Sequence, residues 1–267
     1  MPAPSSQPSP PLACTVRGCG EVLRREAERW VCERGHSFDV ARRGFVNLLQ
    51  PQDRRSLDAG DSKEAVAARA RLLSRGIGTD TFEALTAVVR ELALPPGSLV
   101  AELGTGTGEL LARLHAELAL ECVGIDLSSA AIEHCARSHE HGTWVVANAD
   151  RRLPLRTASA ALVLSVHGRR NPEECARVLA PGGHWLVAVP ASDDLAELRR
   201  AAQGMATEEQ RAATLLDSLD DSLTLVRRGQ CRERRLLARD ELLDLLRSTY
   251  RGLRAGDAKR VEQLDAL

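Results

Sequence analysis

The sequence predicts an α/β protein with a doubly wound, mostly parallel sheet and a small metal-binding module near its N-terminal end. Three observations predict this architecture. Short apolar runs alternate with helical patterns from residue 98 onward, a glycine-rich turn follows the first of these runs, and three cysteines and a histidine cluster within residues 14–36. Strand–helix alternation is typical of parallel sheets with right-handed crossovers.

The elements can be assigned in order along the chain. Residues 61–64 fit a helix start, and glycines 76 and 78 separate that helix from a second one over about 80–92. Residues 160–166 carry no charge, as expected of a strand buried on both faces. The predicted strands are 98–102, 121–126, 144–147, 160–166 and 184–189, and the predicted helices between them are 109–118, about 129–138 with Ser128 or Ser129 as cap, and 173–179. Residues 191–267 are strongly charged and predicted to be helical.

Composition divides the chain into four segments. Residues 1–11 are rich in proline and serine and are predicted to be a disordered tail. Residues 12–50 are predicted to be the metal-binding module, 51–97 a helical linker region, and 98–267 the main domain. The hydrophobic share of 43% is sufficient for a sizeable core.

Charge and cysteine usage limit the possible environments. The formal charge of −1 gives no global reason to expect a nucleic-acid partner, although an even balance can hide local patches. No stretch approaches the roughly 18 apolar residues of a membrane span. Seven unevenly placed cysteines do not resemble a secreted disulfide scaffold. A cytoplasmic protein that does not contact membrane is therefore expected.

The glycine-rich turn at the first βα junction indicates a nucleoside cofactor. Gly104, Gly106 and Gly108 are spaced so that backbone amides can approach a ligand, with a helix N-terminus behind them. A dinucleotide-binding fingerprint would require a third glycine at position 109, which is glutamate. The acid Glu102 just before the turn suits the positively charged amino-acid moiety of S-adenosylmethionine. These features predict a methyltransferase that uses S-adenosylmethionine.

Polar residues follow the next two predicted strands. Asp126 ends the second strand, where a carboxylate can accept both ribose hydroxyls. Asn148 and Asp150 follow the third strand and are expected to contact the adenine edge. The alternative is that all three are ordinary turn residues, since Asp and Asn are common there.

The cysteine cluster predicts a structural zinc site. Two short turns, Cys14-x4-Cys19 and Cys32-x3-His36, supply four ligands and leave no coordination position for water. Residues 21–31 between them are predicted to form a hairpin. A segment this short needs metal binding for its folding energy. The alternative is three buried thiols and a surface histidine.

These residues resemble a known family. The stretches Cys32-Glu-Arg-Gly-His-Ser-Phe-Asp39, Ala41-Arg-Arg-Gly-Phe-Val-Asn-Leu-Leu49, Gly60-Asp-Ser62 and Ala68-Arg69 are similar to the 23S rRNA guanine-N1 methyltransferases, which include the tylosin- and mycinamicin-resistance enzymes. The resemblance implies an RNA-recognising zinc module before a class I methyltransferase domain, homodimerisation, and methylation of guanine N1 in a hairpin of 23S rRNA. It also implies that Thr107 in the glycine loop contacts the cofactor and that Asp194, after the fifth strand, lies near it.

The catalytic and RNA-binding residues are less sharply indicated. His167 follows the fourth strand and is hypothesised to help remove the guanine N1 proton; the alternative is that it only ends the strand and water accepts the proton.

Trp30, Phe38 and Phe45 are expected to form the module's own core rather than stack on bases. A second basic patch at 227–239 could line the target cleft or be the polar face of a helix. The arginines expected to contact RNA, unless they belong to a solvated mixed-charge face, are Arg24, Arg25, Arg29, Arg34, Arg42, Arg43, Arg54 and Arg55.

The leading functional hypothesis is a 23S rRNA guanine-N1 methyltransferase that protects against a macrolide. One alternative is a small-molecule methyltransferase that keeps the zinc module as structure. Another is a non-catalytic relic that binds RNA or protein. Binding to an rRNA hairpin separates the first two, and S-adenosylmethionine binding tests the third.

Overall fold

The computed structural model describes residues 10–53, 60–198, 215–216 and 223–249. Of the predicted tail, residues 1–9 lie outside this range. The strands are β1 (Leu23–Glu26), β2 (Arg29–Cys32), β3 (Ser37–Asp39), β4 (Val46–Asn47), β5 (Leu99–Leu103), β6 (Glu121–Asp126), β7 (Thr143–Val146), β8 (Ala160–Val166) and β9 (Leu179–Ala188). The α-helices are α1 (Lys63–Ser74), α2 (Thr79–Glu91), α3 (Glu109–Leu118), α4 (Ser129–Ser138), α5 (Pro172–Val178) and α6 (Arg239–Thr249), and Pro51–Asp53 forms a 3-10 turn.

A six-stranded parallel sheet in the order β4-β7-β6-β5-β8-β9 forms the centre of the molecule. The predicted doubly wound fold is therefore confirmed. Two strands and two helices match their predicted bounds, and β9 begins five residues before the predicted start at 184. The strand order reverses direction beside β5, and ligands of such sheets bind at this switch point, outside the carboxyl ends of the strands.

Alternate residues of the central strands face two different cores. In β5, Val100 packs with α2, α3 and α4, whereas Leu99, Ala101 and Leu103 pack on the opposite side. β8 shows the same alternation, with Leu162 and Leu164 in one core and Val163 in the other. A strand whose successive side chains are apolar on both faces must be covered on both faces. This explains why residues 160–166 carry no charge.

The N-terminal module covers the face of the central sheet that carries Leu99, Ala101 and Leu103, and its last strand joins that sheet. Strands β1, β2 and β3 form a small antiparallel sheet whose first pair is the predicted hairpin. Leu12, Leu23 and Trp30 are at most 2% exposed and share a core with the central strands. The two-residue strand β4 then pairs in parallel with β7. The module and the main domain thus share one core.

The crossover from β7 to β8 contains no helix within residues 147–159. Leu155 in this segment forms an antiparallel bridge with Leu12, and the N–H of Ala13 donates to the Pro154 carbonyl at 3.0 Å. The module therefore packs where a crossover helix would otherwise cover the sheet.

Helix α6 packs on α1 through paired charges. Arg71 donates to both oxygens of Asp244, at 2.8 and 2.6 Å, and Arg75 pairs with Asp240 at 2.6 Å. The segment 223–238 before α6 is not helical, so the predicted helix is wrong for this part of 191–267. Among the described residues, no helix is long and apolar enough to cross a membrane.

Candidate metal centre and cofactor cleft

The four predicted metal ligands converge in the N-terminal module. Cys14, Cys19, Cys32 and His36 hold their ligand atoms within 4.8 Å of one another. His36 Nδ1 lies 3.5 Å from Cys14 Sγ and 3.4 Å from Cys32 Sγ, and the sulfurs of Cys19 and Cys32 are 3.9 Å apart. Tetrahedral zinc bonds of about 2.3 Å to sulfur and about 2.0 Å to nitrogen require separations of about 3.8 Å between sulfurs and about 3.5 Å between sulfur and nitrogen. The observed distances fit such a site.

Backbone hydrogen bonds shape the two ligand turns. In the wider first turn, the N–H of Cys19 donates to the Val16 carbonyl at 2.9 Å, and the N–H of Gly20 donates to the Cys14 carbonyl at 3.2 Å. The second turn, 32–36, closes through similar bonds. The four-residue spacing between the first two cysteines is thus compatible with a closed site, because the loop folds back on its own carbonyls.

The glycine loop lies between β5 and α3, as the sequence predicts. Gly104, Gly106 and Gly108 all have positive φ angles, of 77, 58 and 83°, which favour glycine. Thr107, between them, is buried. The adjacent Gly168 approaches so closely that a Cβ atom there would lie 2.2 Å from the Leu103 carbonyl oxygen. The loop after β8 therefore packs directly on the glycine loop.

Glu102 is a buried carboxyl group at the end of β5. It is 4% exposed, and Thr105 Oγ1 donates to its Oε2 atom at 2.8 Å. Burial raises the pKa of Glu102 to about 8, with a smaller contribution from the carboxylates of Glu109 and Asp126. The second oxygen of Glu109 is buried and has no hydrogen-bond partner among the described residues. Three carboxyl groups around one loop suit a ligand that carries positive charge.

Asp126, at the end of β6, faces the same loop. Its Oδ2 atom accepts from the Gly106 N–H at 3.0 Å, and its Oδ1 atom accepts from the Ser128 N–H at 2.8 Å. Burial raises the pKa of this carboxyl group, while the two backbone donors oppose that shift. The two hydrogen bonds fix the orientation of the carboxylate at the carboxyl end of β6, the edge at which ligands of such sheets bind.

The structure brings Arg69 and Asp61 to the cleft, which sequence reasoning did not assign to the site. Arg69 Nη1 pairs with Asp61 Oδ2 at 2.8 Å and lies 3.1 Å from where a Cβ atom of Gly106 would be. Ser128 Oγ donates to the Asp61 carbonyl at 2.6 Å. Only the stretch Gly60-Asp-Ser62 with Ala68-Arg69 in the family resemblance signalled these residues.

The remaining predicted cofactor residues lie on other loops. Asn148 is 6% exposed and makes internal bonds, since its Nδ2 donates to the Asp53 carbonyl at 2.9 Å and its Oδ1 accepts from the Asp150 N–H at 3.0 Å. Asp150 is half-buried and pairs with Arg169 at 3.5 Å. Asp194 follows β9 in a turn, where its N–H donates to the Ala191 carbonyl at 3.0 Å.

His167, the candidate proton acceptor, is exposed in the loop after β8. Its φ angle is 51°, in the left-handed region, and its N–H donates to the Ala188 carbonyl at 2.9 Å. Because the next residue, Gly168, packs against Leu103, the histidine lies beside the glycine loop. Strained backbone of this kind is often found at functional sites.

Acids of the protein neutralise most of the described arginines that were expected to contact RNA. The ion pairs are Arg24–Glu33 at 2.8 Å, Arg29–Glu26 at 3.2 Å, Arg34–Glu21 at 3.6 Å and Arg43–Glu133 at 3.0 Å. Arg54 and Arg55 lie outside the described residues. Trp30 is 2% exposed, so it belongs to the core as expected. In the second basic patch, Arg232 pairs with Asp193 and Arg235 with Asp80, and residues 227–238 form neither helix nor strand.

Comparisons with known proteins agree with this anatomy. Residues 13–57 match the family model of the zinc ribbon described as "RlmA, N-terminal", and residues 100–183 match that of a "Methyltransferase domain". A 23S rRNA (guanine(748)-N(1))-methyltransferase from Streptomyces fradiae is 38% identical over 83% of this chain and 78% of its own length. A provisionally named 23S rRNA (guanine-N(1)-)-methyltransferase from Micromonospora griseorubida is 34% identical over 89% of this chain and 85% of its own length. The matches support the two predicted cofactors, S-adenosylmethionine and structural zinc.

Proposed function

Since the chain belongs to the family of 23S rRNA guanine-N1 methyltransferases, we propose that it transfers a methyl group from S-adenosylmethionine to N1 of one guanine in a hairpin of 23S rRNA. One structural observation carries this proposal. A Cys3His zinc ribbon packs on the same sheet that presents the Glu102–Gly108 cofactor loop, so nucleic-acid recognition and methyl transfer have a common rigid frame.

Bound S-adenosylmethionine supplies a methyl group on a positively charged sulfonium, and the protein's task is to hold that group in line with the attacking nitrogen. Backbone amides of the glycine loop would hold the methionine part of the cofactor, and Glu102 would pair with its ammonium group. Asp126 would accept hydrogen bonds from the ribose hydroxyls, and Asn148 and Asp150 would hold the adenine. Asp194, in the loop after β9, would also lie near the cofactor. Alignment of this kind supplies most of the rate in a direct displacement.

Guanine N1 carries a proton that has to leave as the nitrogen attacks. Bound S-adenosylmethionine would supply its methyl group to N1, and the electron pair of the broken carbon–sulfur bond would remain on sulfur. We assign the proton to His167, which lies beside the glycine loop. The imidazole can accept a proton near neutral pH and return it to water.

Methyl transfer in vitro tests the proposal. The purified protein with radiolabelled S-adenosylmethionine should methylate a transcript of the 23S rRNA hairpin, with one methyl group per hairpin. A matched transcript that already carries N1-methylguanine at the target should accept none. Transfer to small molecules with none to the hairpin would favour the small-molecule alternative, and calorimetry that detects no S-adenosylmethionine binding would favour the non-catalytic one.

Three finer proposals accompany this activity. We propose that the protein works in the cytoplasm, that it is a homodimer, and that the methylated ribosome resists a macrolide of the tylosin or mycinamicin type. Analytical ultracentrifugation reports the dimer. Expression in a susceptible bacterium should raise the inhibitory concentration of such a macrolide, and an active-site variant should not.

A further inference from the structure

The loops that follow β7 and β8 are rich in arginine. Residues 147–171, which comprise both loops and β8, contain five arginines and one aspartate, a net charge of +4. The small hairpin sheet, residues 23–39, contains four arginines and four acidic residues, a net charge of zero. Because the whole chain has a charge of −1, this positive charge is local. The five arginines are Arg151, Arg152, Arg156, Arg169 and Arg170.

Direct contacts hold the two loops together as one surface. Asn171 Nδ2 donates to the carbonyls of Ala149 and Arg151, each at 3.2 Å, and Arg169 pairs with Asp150 at 3.5 Å. The same surface adjoins the cofactor cleft, because Gly168 packs on the glycine loop. A ligand that binds Arg169 and Arg170 would therefore lie close to the glycine loop.

Arg152 connects this surface to the zinc module. Its guanidinium group packs on Gly20, with Nη2, Cζ and Nε at 2.9, 3.2 and 3.4 Å from the position of a Cβ atom there. Arg34 Nη1 donates to the Gly18 carbonyl at 3.1 Å. Both guanidinium groups thus lie on the short loop around the zinc ligand Cys19. A line of arginines extends from the metal centre to the loop that carries His167.

Arg151, Arg152, Arg169 and Arg170 are less neutralised than Arg24 and Arg29 of the hairpin. Within the described part of the chain, Arg152 and Arg170 form no ion pair, and Arg151 and Arg169 have only long ones, at 3.7 and 3.5 Å. By contrast, Arg24 donates to its glutamate at 2.8 Å. Guanidinium groups without a close carboxylate can pair bidentately with phosphate oxygens.

We infer that Arg151, Arg152, Arg169 and Arg170, here called the arginine strip, bind the phosphate backbone of the RNA hairpin and so hold the target guanine over the cofactor cleft. The inference rests on the proposed function, because it names the surface through which that substrate binds. It transfers the main phosphate contact from the hairpin arginines of the zinc module to the edge of the catalytic sheet.

Salt-dependent binding of the full-length protein to the 23S rRNA hairpin transcript tests the arginine strip. The test variant is Arg152→Gln with Arg170→Gln, and the control is Arg24→Gln with Arg29→Gln, which removes the same charge from the hairpin. Each lost phosphate contact should reduce the magnitude of the slope of log affinity against log salt by about 0.7 to 0.9. We expect the magnitude of the slope to fall by about 1.4 to 1.8 in the test variant and to equal the wild-type value in the control. S-adenosylmethionine affinity, measured by calorimetry, should be unchanged in both.

Equal slopes for the test and control variants would overturn the inference, provided that the wild type binds the hairpin. Failure of the wild type to bind would instead contradict the proposed function, and the inference with it. Because Arg152 packs on Gly20, a second test variant, Arg151→Gln with Arg170→Gln, guards against a folding defect. We expect this variant to reduce the salt-dependence slope by a similar amount. Its melting temperature should equal that of the wild type.

Discussion

Thr105 Oγ1 donates a hydrogen bond to Glu102 Oε2 at 2.8 Å, inside the turn that is expected to bind the cofactor. The carboxyl group has almost no exposed surface, and burial raises its pKa to about 8. Near neutral pH it is therefore mostly protonated when no cation is close. A bound ammonium group would favour the charged form and lower this pKa.

Cofactor binding is accordingly predicted to release a proton from Glu102. At pH 7 the release should approach one proton per site, and it should vanish well above pH 8, where the carboxyl group is already ionised. Calorimetry in buffers of different ionisation enthalpy measures this number. Glu102→Gln should bind more weakly and release none. Equal proton release by the variant would show that another group is responsible.

The same pKa predicts how stability depends on pH. The pKa is raised from an unfolded value of about 4.3, so folding favours the protonated form. This contribution is complete below about pH 4 and is lost as the pH rises through about 8. The melting temperature of Glu102→Gln should therefore rise relative to that of the wild type as the pH increases from 5 to 8. A constant difference over this range would contradict the assignment.

Removal of zinc should destabilise the whole protein, because the ribbon and the central sheet share a core. Loss of a structural metal belongs to the class of changes that cost about 4 kcal/mol or more, which corresponds to a drop of about 8 to 16 °C in the melting temperature. Cys32→Ser should show this drop and contain no zinc by elemental analysis. The control, Cys231→Ser, changes an exposed thiol and should retain both metal and stability. Separate unfolding of the ribbon, with an unchanged main transition, would contradict the shared core.

Gly168→Ala should disturb the cofactor loop from outside it. The added Cβ atom would lie 2.2 Å from the carbonyl oxygen of Leu103, a backbone atom in a buried strand that cannot move aside. We expect the free energy of unfolding to fall by about 1–3 kcal/mol and the affinity for S-adenosylmethionine to fall with it. Gly229→Ala is the matched control, since no atom lies within 4 Å of its added Cβ. Unchanged cofactor affinity in Gly168→Ala would separate this contact from the site.

His167→Asn tests the proton acceptor without changing the backbone strain, because asparagine tolerates positive φ angles. If the imidazole accepts the N1 proton, kcat should fall by about 10²- to 10⁴-fold, and the acid limb of the pH–rate profile should disappear. Affinity for S-adenosylmethionine should stay unchanged. Full turnover by the variant would assign the proton to water.

The sequence predicts most of the fold because the signals are local. The glycine loop and the strand over 160–166 follow from spacing and charge, and the zinc ligands follow from two short turns. The pairing of Val46 and Asn47 with β7 could not be predicted, since two residues carry no periodicity. The place of Arg69 over Gly106 likewise depends on how α1 packs, and nothing in the pattern of that helix specifies it.

The structure of the charged segments is the part of the fold that the sequence predicts least well. A basic cluster at 227–239 is compatible with a helix face, yet residues 227–238 are not helical, and their arginines pair with acids on α2 and after β9. The sequence pattern does not group Arg151, Arg152, Arg169 and Arg170, because their two loops become one surface only when the sheet is formed. Counting charge along a segment does not reveal such surfaces.

Mass mapping of 23S rRNA from cells that contain or lack this protein tests the central claim most directly. Nuclease fragments from cells with the protein should include one guanine that is heavier by one methyl group, and reverse transcription should stop beside it because N1 methylation blocks pairing. Cells without the protein should show only the unmodified fragment. Cells with the double variant Glu102→Gln and Asp126→Asn should show a reduced level of modification. Identical fragments in cells with and without the wild-type protein would contradict the account.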